Sequence, residues 1–273
     1  MMDITFYEEV DFSISFIIYI VAMLSFFVFL VGKNDKVGKV AFGLSMAGFI
    51  VHTVAMILRI VESGRLPFSN QYEFASCFAW GIVLCYLVIH FRYKFTSMGA
   101  FIMPLAVLMM GYASVLPKNI KPLMPALQSN WLYFHVGSAI ISYGSFAVAC
   151  GLSIMYLFNQ KNVNSNFNNK LPDEEVCDYL SYRVIAFGYL MLTIVIISGA
   201  IWAKYAWSRY WTWDPKETWS LITWLIYSVY LHLRFNRGWK GKSAAWFSII
   251  GFVSIIFTFV GVNVLLPGLH SYN

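Results

Sequence analysis

Apolar stretches of membrane-spanning length alternate along this chain with short polar breaks. About eight such runs can be marked by their continuous hydrophobicity. They lie at approximately 11–32, 38–61, 72–91, 98–116, 131–158, 182–203, 217–234 and 244–266. A helix needs roughly 20 apolar residues to cross the hydrocarbon core of a bilayer. The pattern therefore predicts an all-α polytopic membrane protein with about eight transmembrane helices. The expected organisation is one integral membrane domain over 1–273, with no room for a separate soluble unit. The first run is long and no small-residue cleavage site follows it, which reads as a retained helix rather than a signal peptide.

Composition agrees: 59% of the 273 residues are hydrophobic and only 12% are charged. No soluble chain of this length buries so much apolar surface, so the lipid bilayer is the expected solvent. Basic residues gather in alternate breaks. Lys33, Lys36 and Lys39 are followed by Arg92 and Lys94, by Lys161, Lys170 and Arg183, and by Arg234, Arg237, Lys240 and Lys242. The positive-inside bias then places these loops in the cytoplasm and both termini outside. The net charge of +6 follows from this bias and signals no nucleic-acid partner. Cys77, Cys85, Cys150 and Cys177 form no CxxC pair, so they read as apolar filler. The chain also lacks the CxxCH of covalent c-type haem. The Asn-rich break 159–181 reads as a solvated connector in which 172–175 start a short helix. Pro117, Pro122 and Pro125 stiffen the break 117–130.

One break departs from the expected polarity. Around 202–219 the chain reads WAKYAWSRYWTWDPKETW, with tryptophans at 202, 207, 211, 213 and 219. A flat, aromatic, apolar external loop suits a large planar ligand, for which Trp202, Trp207, Trp211, Trp213 and Trp219 supply stacking area. Asp214 fits the N-cap of the next helix, with Pro215 and Glu217 in its first turn. His135 and His270 fall at the same predicted membrane level as this loop. Two imidazoles approaching a plane from opposite sides can serve as axial ligands of a haem iron. Interfacial histidines within an aromatic belt are the plainer alternative. His232, near the other membrane face, marks a second haem site or a helix-end histidine. Arg59 and Arg65 suit haem propionates or, equally, anchor neighbouring helices. His52 reads as a buried, hydrogen-bonded histidine, and His90 as interfacial.

These residues carry a resemblance. WTWDPKETWSLITWL, preceded by Trp202 and Trp207, resembles the WWD domain of haem-handling membrane proteins, in the form found in the CcsA/ResC family of cytochrome c biogenesis proteins (System II). WLYFHV before it, YLHLR after it, the GRLPFSNQYEF loop and the final VNVLLPGLHSY are similar too. The resemblance implies that His135 and His270 ligate haem on the outer side and that His232 ligates haem within the bilayer. Its opposing ligand would come from a CcsB/ResB-like membrane partner. The implied function is haem transport and presentation to apocytochrome c for thioether attachment at CxxCH, as a subunit of a holocytochrome c synthase. Haem b is the implied bound ligand and substrate. Thiol-reducing proteins of the maturation pathway are further implied partners. The implied location is the bacterial cytoplasmic membrane or, alternatively, the thylakoid. A haem exporter without ligation activity and a b-type electron-transfer cytochrome remain as other readings.

Overall fold

A computed structural model describes residues 4–32, 34–161 and 171–266. Helices α1 (Ile4–Gly32), α2 (Asp35–Ser63), α3 (Gln71–Tyr93) and α4 (Gly99–Ser114) come first. They are followed by α5 (Asn130–Lys161), α6 (Glu174–Trp207), α7 (Pro215–Arg237) and α8 (Lys242–Ile256). A π-turn, Phe257–Gly261, joins α8 to a last helical turn, α9 (Val262–Leu265). All eight predicted runs are helical, and no strand occurs among the described residues. Seven of the helical segments are long and apolar enough to cross a membrane, with α8 and α9 counted as one. The chain is thus a multi-pass membrane protein.

Helix α7 is the one predicted span outside that set, because it carries a hydroxyl-rich face. Trp224 Nε1 donates to Thr193 Oγ1 at 3.0 Å, and Ser228 lies 2.9 Å from the Tyr189 hydroxyl. Thr223 Oγ1 approaches Ser254 Oγ at 3.1 Å. Between helices in lipid, such bonds and close packing replace the hydrophobic effect as the source of association. Close packing is clearest where α3 crosses α5. A Cβ on Gly81 would meet the Ile140 carbonyl at 2.8 Å, and one on Gly144 would meet the Gly81 carbonyl at 2.6 Å.

Helix α1 shows the lipid-facing side. Ile14, Ile17, Val21, Leu24 and Val28 are exposed and recur at helical spacing, while Phe12, Tyr19, Ala22 and Phe26 point inward. Helix α5 occupies the centre and packs against α3, α4, α6 and α8. Helix α6 differs from the sequence reading. Its N-cap is Asp173 and it runs unbroken for 34 residues, so 172–175 begin no separate short helix. At 1.5 Å per residue that is about 50 Å, well beyond a hydrocarbon core of about 30 Å. Its far end therefore projects and carries Trp202 and Trp207 with it.

A buried charged cluster ties α1, α2 and α3 together. Glu73 Oε1 accepts from Arg59 Nε at 3.1 Å and Nη2 at 3.0 Å. Its Oε2 accepts from Arg65 Nη1 at 3.0 Å and from the Ser69 backbone N–H at 2.8 Å. The Tyr72 hydroxyl donates to Glu8 Oε1 at 2.6 Å. Glu8, Arg59 and Glu73 are each no more than 3% exposed. Removing one member of a buried ion pair strands the other charge, at a typical cost of about 3–5 kcal/mol. Glu73→Ala should therefore lower the thermal unfolding midpoint of the detergent-purified protein markedly. An unchanged midpoint would show that the cluster does not brace these helices.

Candidate functional site

A cavity of about 160 Å³ lies at the end of the bundle where α5 begins, α6 ends and α7 begins. Its walls come from α5, α6, the 210–211 segment, the start of α7, the π-turn, α9 and the 68–74 segment. Phe74, Leu132, Val136, Ile196 and Phe259 make much of the lining apolar.

His135, in the second turn of α5, lines this cavity and is half-buried. Its Nδ1 lies 2.9 Å from the carbonyl oxygen of Val195 on α6. A carbonyl only accepts, so Nδ1 carries the proton, and in the neutral ring the basic lone pair is on Nε2. Gly199 sits one turn further along α6. A Cβ there would lie 2.8 Å from both Cε1 and Nδ1 of His135, closer than real Cβ contacts occur. Glycine at 199 thus makes the space in which the imidazole stands. Trp202 flanks the ring at 5.7 Å between centroids and is itself pinned by its Nε1 donating to the Ala126 carbonyl at 2.8 Å. Trp207 packs behind Trp202 at 5.1 Å.

The Trp-rich segment is not one continuous loop. Trp202 and Trp207 belong to α6, Trp219 belongs to α7, and only the stretch between the two helices is irregular. Ser208 ends α6 in the left-handed conformation, at φ 62°. Trp213 is also left-handed, at φ 59°. That conformation is uncommon for a bulky residue and is held only where its surroundings impose it. The imposition here is a capping box. Asp214 accepts from the Lys216 backbone N–H at 2.9 Å, and Glu217 Oε2 accepts from the Asp214 backbone N–H at 3.2 Å. Glu217 Oε2 also accepts from the Thr212 backbone N–H at 2.8 Å. Pro215 occupies the first helical position, as the sequence implied.

The five tryptophans accordingly separate. Trp202 and Trp211 line the cavity, and Trp207 supports Trp202. Trp213 stands 67% exposed, and Trp219 packs on Phe257 of the π-turn at 4.2 Å. Arg59 and Arg65 are both engaged by Glu73, and neither lines the cavity. His232 is exposed near the far end of α7, its Nδ1 3.0 Å from the Asn236 amide. It lies on the order of 25 Å from Pro215 along the helix axis, and so cannot serve the same site. His270 lies outside the described residues, as do Pro267 and Gly268. His52 is fully buried and bonds Ser76 Oγ at 2.9 Å, and His90 stacks on Phe42 at 4.0 Å. All four cysteines are free thiols, and three of them are buried.

Sequence reasoning passed over several cavity residues. Lys216, between Pro215 and Glu217, lines the cavity without having been singled out. Asn263 and Thr258 gave no signal inside an apolar run, although the π-turn brings both onto the wall. Two polar atoms at this site are buried without a hydrogen-bond partner among the described residues. They are the donor Trp211 Nε1 and the acceptor Asn263 Oδ1.

A family model described as cytochrome C assembly protein matches residues 68–270. The cytochrome c biogenesis protein CcsA of Guillardia theta is 35% identical over 95% of this chain and 94% of its own length. CcsA of Prochlorococcus marinus, strain SARG, is 37% identical over 95% and 92%. CcsA of Chlamydomonas reinhardtii is 39% identical over 88% and 69%. Among solved structures, the cytochrome c haem lyase CcmF superposes with a TM-score of 0.73 at 13% identity, which establishes a shared fold. That likeness covers 95% of this chain and 47% of the lyase. By its family model and by similarity along nearly its whole length, this chain belongs to the cytochrome c assembly protein family.

Proposed function

We propose that this protein carries haem across the membrane and holds it in the His135 cavity for covalent attachment to apocytochrome c. The observation that carries the reading is the fixed tautomer of His135: Nδ1–H donates to the Val195 carbonyl, so the basic lone pair of the neutral ring is on Nε2, the atom that would bind a metal. The cavity suits the cargo in other ways. Apolar walls and the indole of Trp202 match a flat porphyrin, and the orphaned Trp211 donor matches the carboxylates at its periphery. His270 supplies the second axial ligand. Asn263 is on the cavity wall, and the seven residues from there to His270 can extend at most about 25 Å. The cargo is haem b, because thioether formation needs its vinyl groups.

In this reading both termini and the cavity face outside, with the basic loops in the cytoplasm. Haem enters at the other face through His232, which points out of the bundle at an exposed position. The opposing ligand comes from a CcsB/ResB-like membrane partner packed against that face. In the outer cavity, a cysteine thiol of the CxxCH segment adds across a vinyl group. A carbon–sulfur bond forms, the thiol proton ends on the neighbouring vinyl carbon, and no net oxidation or reduction occurs. The protein's contribution is positioning: fixing the porphyrin makes a bimolecular addition effectively intramolecular. Trp213, held outward by its backbone, offers an exposed aromatic surface to an arriving apocytochrome. Upstream, thiol-reducing proteins keep the CxxCH cysteines reduced.

Three outcomes test this reading. His135→Ala combined with His270→Ala should abolish holocytochrome c formation in a host lacking other maturation systems. Normal yield would refute the ligand assignment, and haem export without attachment by the native protein would reduce the function to transport. Gly199→Ala, which drives a methyl into the His135 ring, should weaken haem binding in the cavity at least about tenfold, as disturbing the orientation of a metal-ligating histidine typically does. Full occupancy would show that the imidazole is not held as described. His232→Ala should deplete the inner haem of the purified complex while leaving the His135 signal, and unchanged haem content would count against an inner site.

A further inference from the structure

The buried charged cluster surrounds a second, much smaller cavity. Its volume is about 10 Å³, and its lining includes Glu8 of α1, Ala55 and Arg59 of α2, and Tyr72, Glu73 and Ser76 of α3. That is room for about one water molecule. Two polar atoms of these side chains are buried without a hydrogen-bond partner among the described residues, the acceptor Glu8 Oε2 and the donor Arg59 Nη1. They stand 3.8 Å apart, a charge pair too long for a direct hydrogen bond. Their neighbouring atoms are engaged elsewhere. Tyr72 donates to Glu8 Oε1, and Arg59 Nε and Nη2 donate to Glu73. A water between the two orphans accepts from Nη1 and donates to Oε2, which meets both in the order their chemistry requires. Leaving both unmet would be costly at this depth.

The small cavity also leads somewhere. Ser76 Oγ lies 2.9 Å from Nε2 of His52, which is fully buried in α2. Phe12 and Tyr19 of α1 close other sides of that ring, with the Tyr19 hydroxyl 3.4 Å from Nδ1. On the far side of the cluster, Ser69 lines the large cavity and donates to Glu73 Oε2 through its N–H at 2.8 Å and its hydroxyl at 2.9 Å. We propose that the small cavity binds a water molecule between Glu8 and Arg59, and that this water completes a proton-exchange line from Ser69 to His52. The line runs from Ser69 through Glu73, the water and Ser76 to the imidazole. The water passes a proton to Ser76 Oγ as Ser76 passes its own to Nε2, and the reverse hops carry one back. One proton leaves for each that enters, so no net charge is left in the low-dielectric interior. The line does not depend on what the large cavity binds.

Two measurements on the purified full chain test it. A high-resolution density map of the native protein should show a water peak within hydrogen-bonding distance of both Glu8 Oε2 and Arg59 Nη1. A closed cavity, with those two atoms in direct contact, would overturn the water site. Infrared spectra after transfer to D2O should follow exchange of the His52 ring N–H, its band assigned by difference from His52→Asn. Ser76→Ala should slow that exchange at least about tenfold, because it takes one hydrogen-bonding link out of the line. Ser76→Thr, which keeps the hydroxyl, should retain the native rate. A merely structural role for Ser76 predicts the opposite, since freeing the ring loosens its packing and speeds exchange. An equal or faster rate in Ser76→Ala would overturn the line.

Discussion

A single hydrogen bond organises the site: the imidazole of His135 donating through Nδ1 to the Val195 carbonyl across the α5–α6 interface. An ionisable ring at the end of a membrane helix rotates freely unless something holds it. Here the bond fixes the tautomer, Gly199 clears the space for the ring, and Trp202 closes one flank. Trp202 is anchored in turn to the Ala126 carbonyl of the proline-stiffened segment before α5. Each constraint comes from a different element, so the imidazole is over-determined. That is what a metal ligand needs if binding is not to require ordering it first.

Two kinds of polar interaction hold the scaffold behind this site. Hydroxyl and indole bonds join α7 to α6 and α8. The Glu73 cluster ties α1, α2 and α3 beside the 68–74 segment. A buried ion cluster of this kind is weak evidence for net stability. Its value lies in geometry, since Glu73 fixes the entry of α3 and with it the 68–74 segment that forms part of the cavity wall.

Much of this was legible in the chain itself, and the parts that were not share a cause. Helix number and rough position follow from apolar run length, and the sharp start of α7 follows from Asp214, Pro215 and Glu217 in consecutive reach of one another. His135 was legible as an interfacial histidine beside aromatic residues. Gly199 was not, because its role exists only where α6 lies against a ring 64 positions earlier in the chain. Arg59 and Arg65 are similar: near an outer loop they look available, and only the fold reveals Glu73 between them. The tryptophans divide for a local reason that composition cannot encode. Trp211 and Trp213 are two residues apart, yet the left-handed backbone at Trp213 accompanies its exposure while Trp211 lines the cavity. Helix ends were misjudged where polar residues continue a helix, as with α6, because apolar length reports the membrane and not the helix.

The central claim is that a porphyrin lies in the cavity with its metal on His135. A density map of the haem-loaded protein with its membrane partner tests it most directly. The account predicts planar density between Trp202 and the π-turn, with the metal peak bonded to Nε2 of His135 and the Nδ1–Val195 contact intact. Porphyrin density elsewhere on the outer half of the bundle, with His135 turned away from the metal, would contradict it.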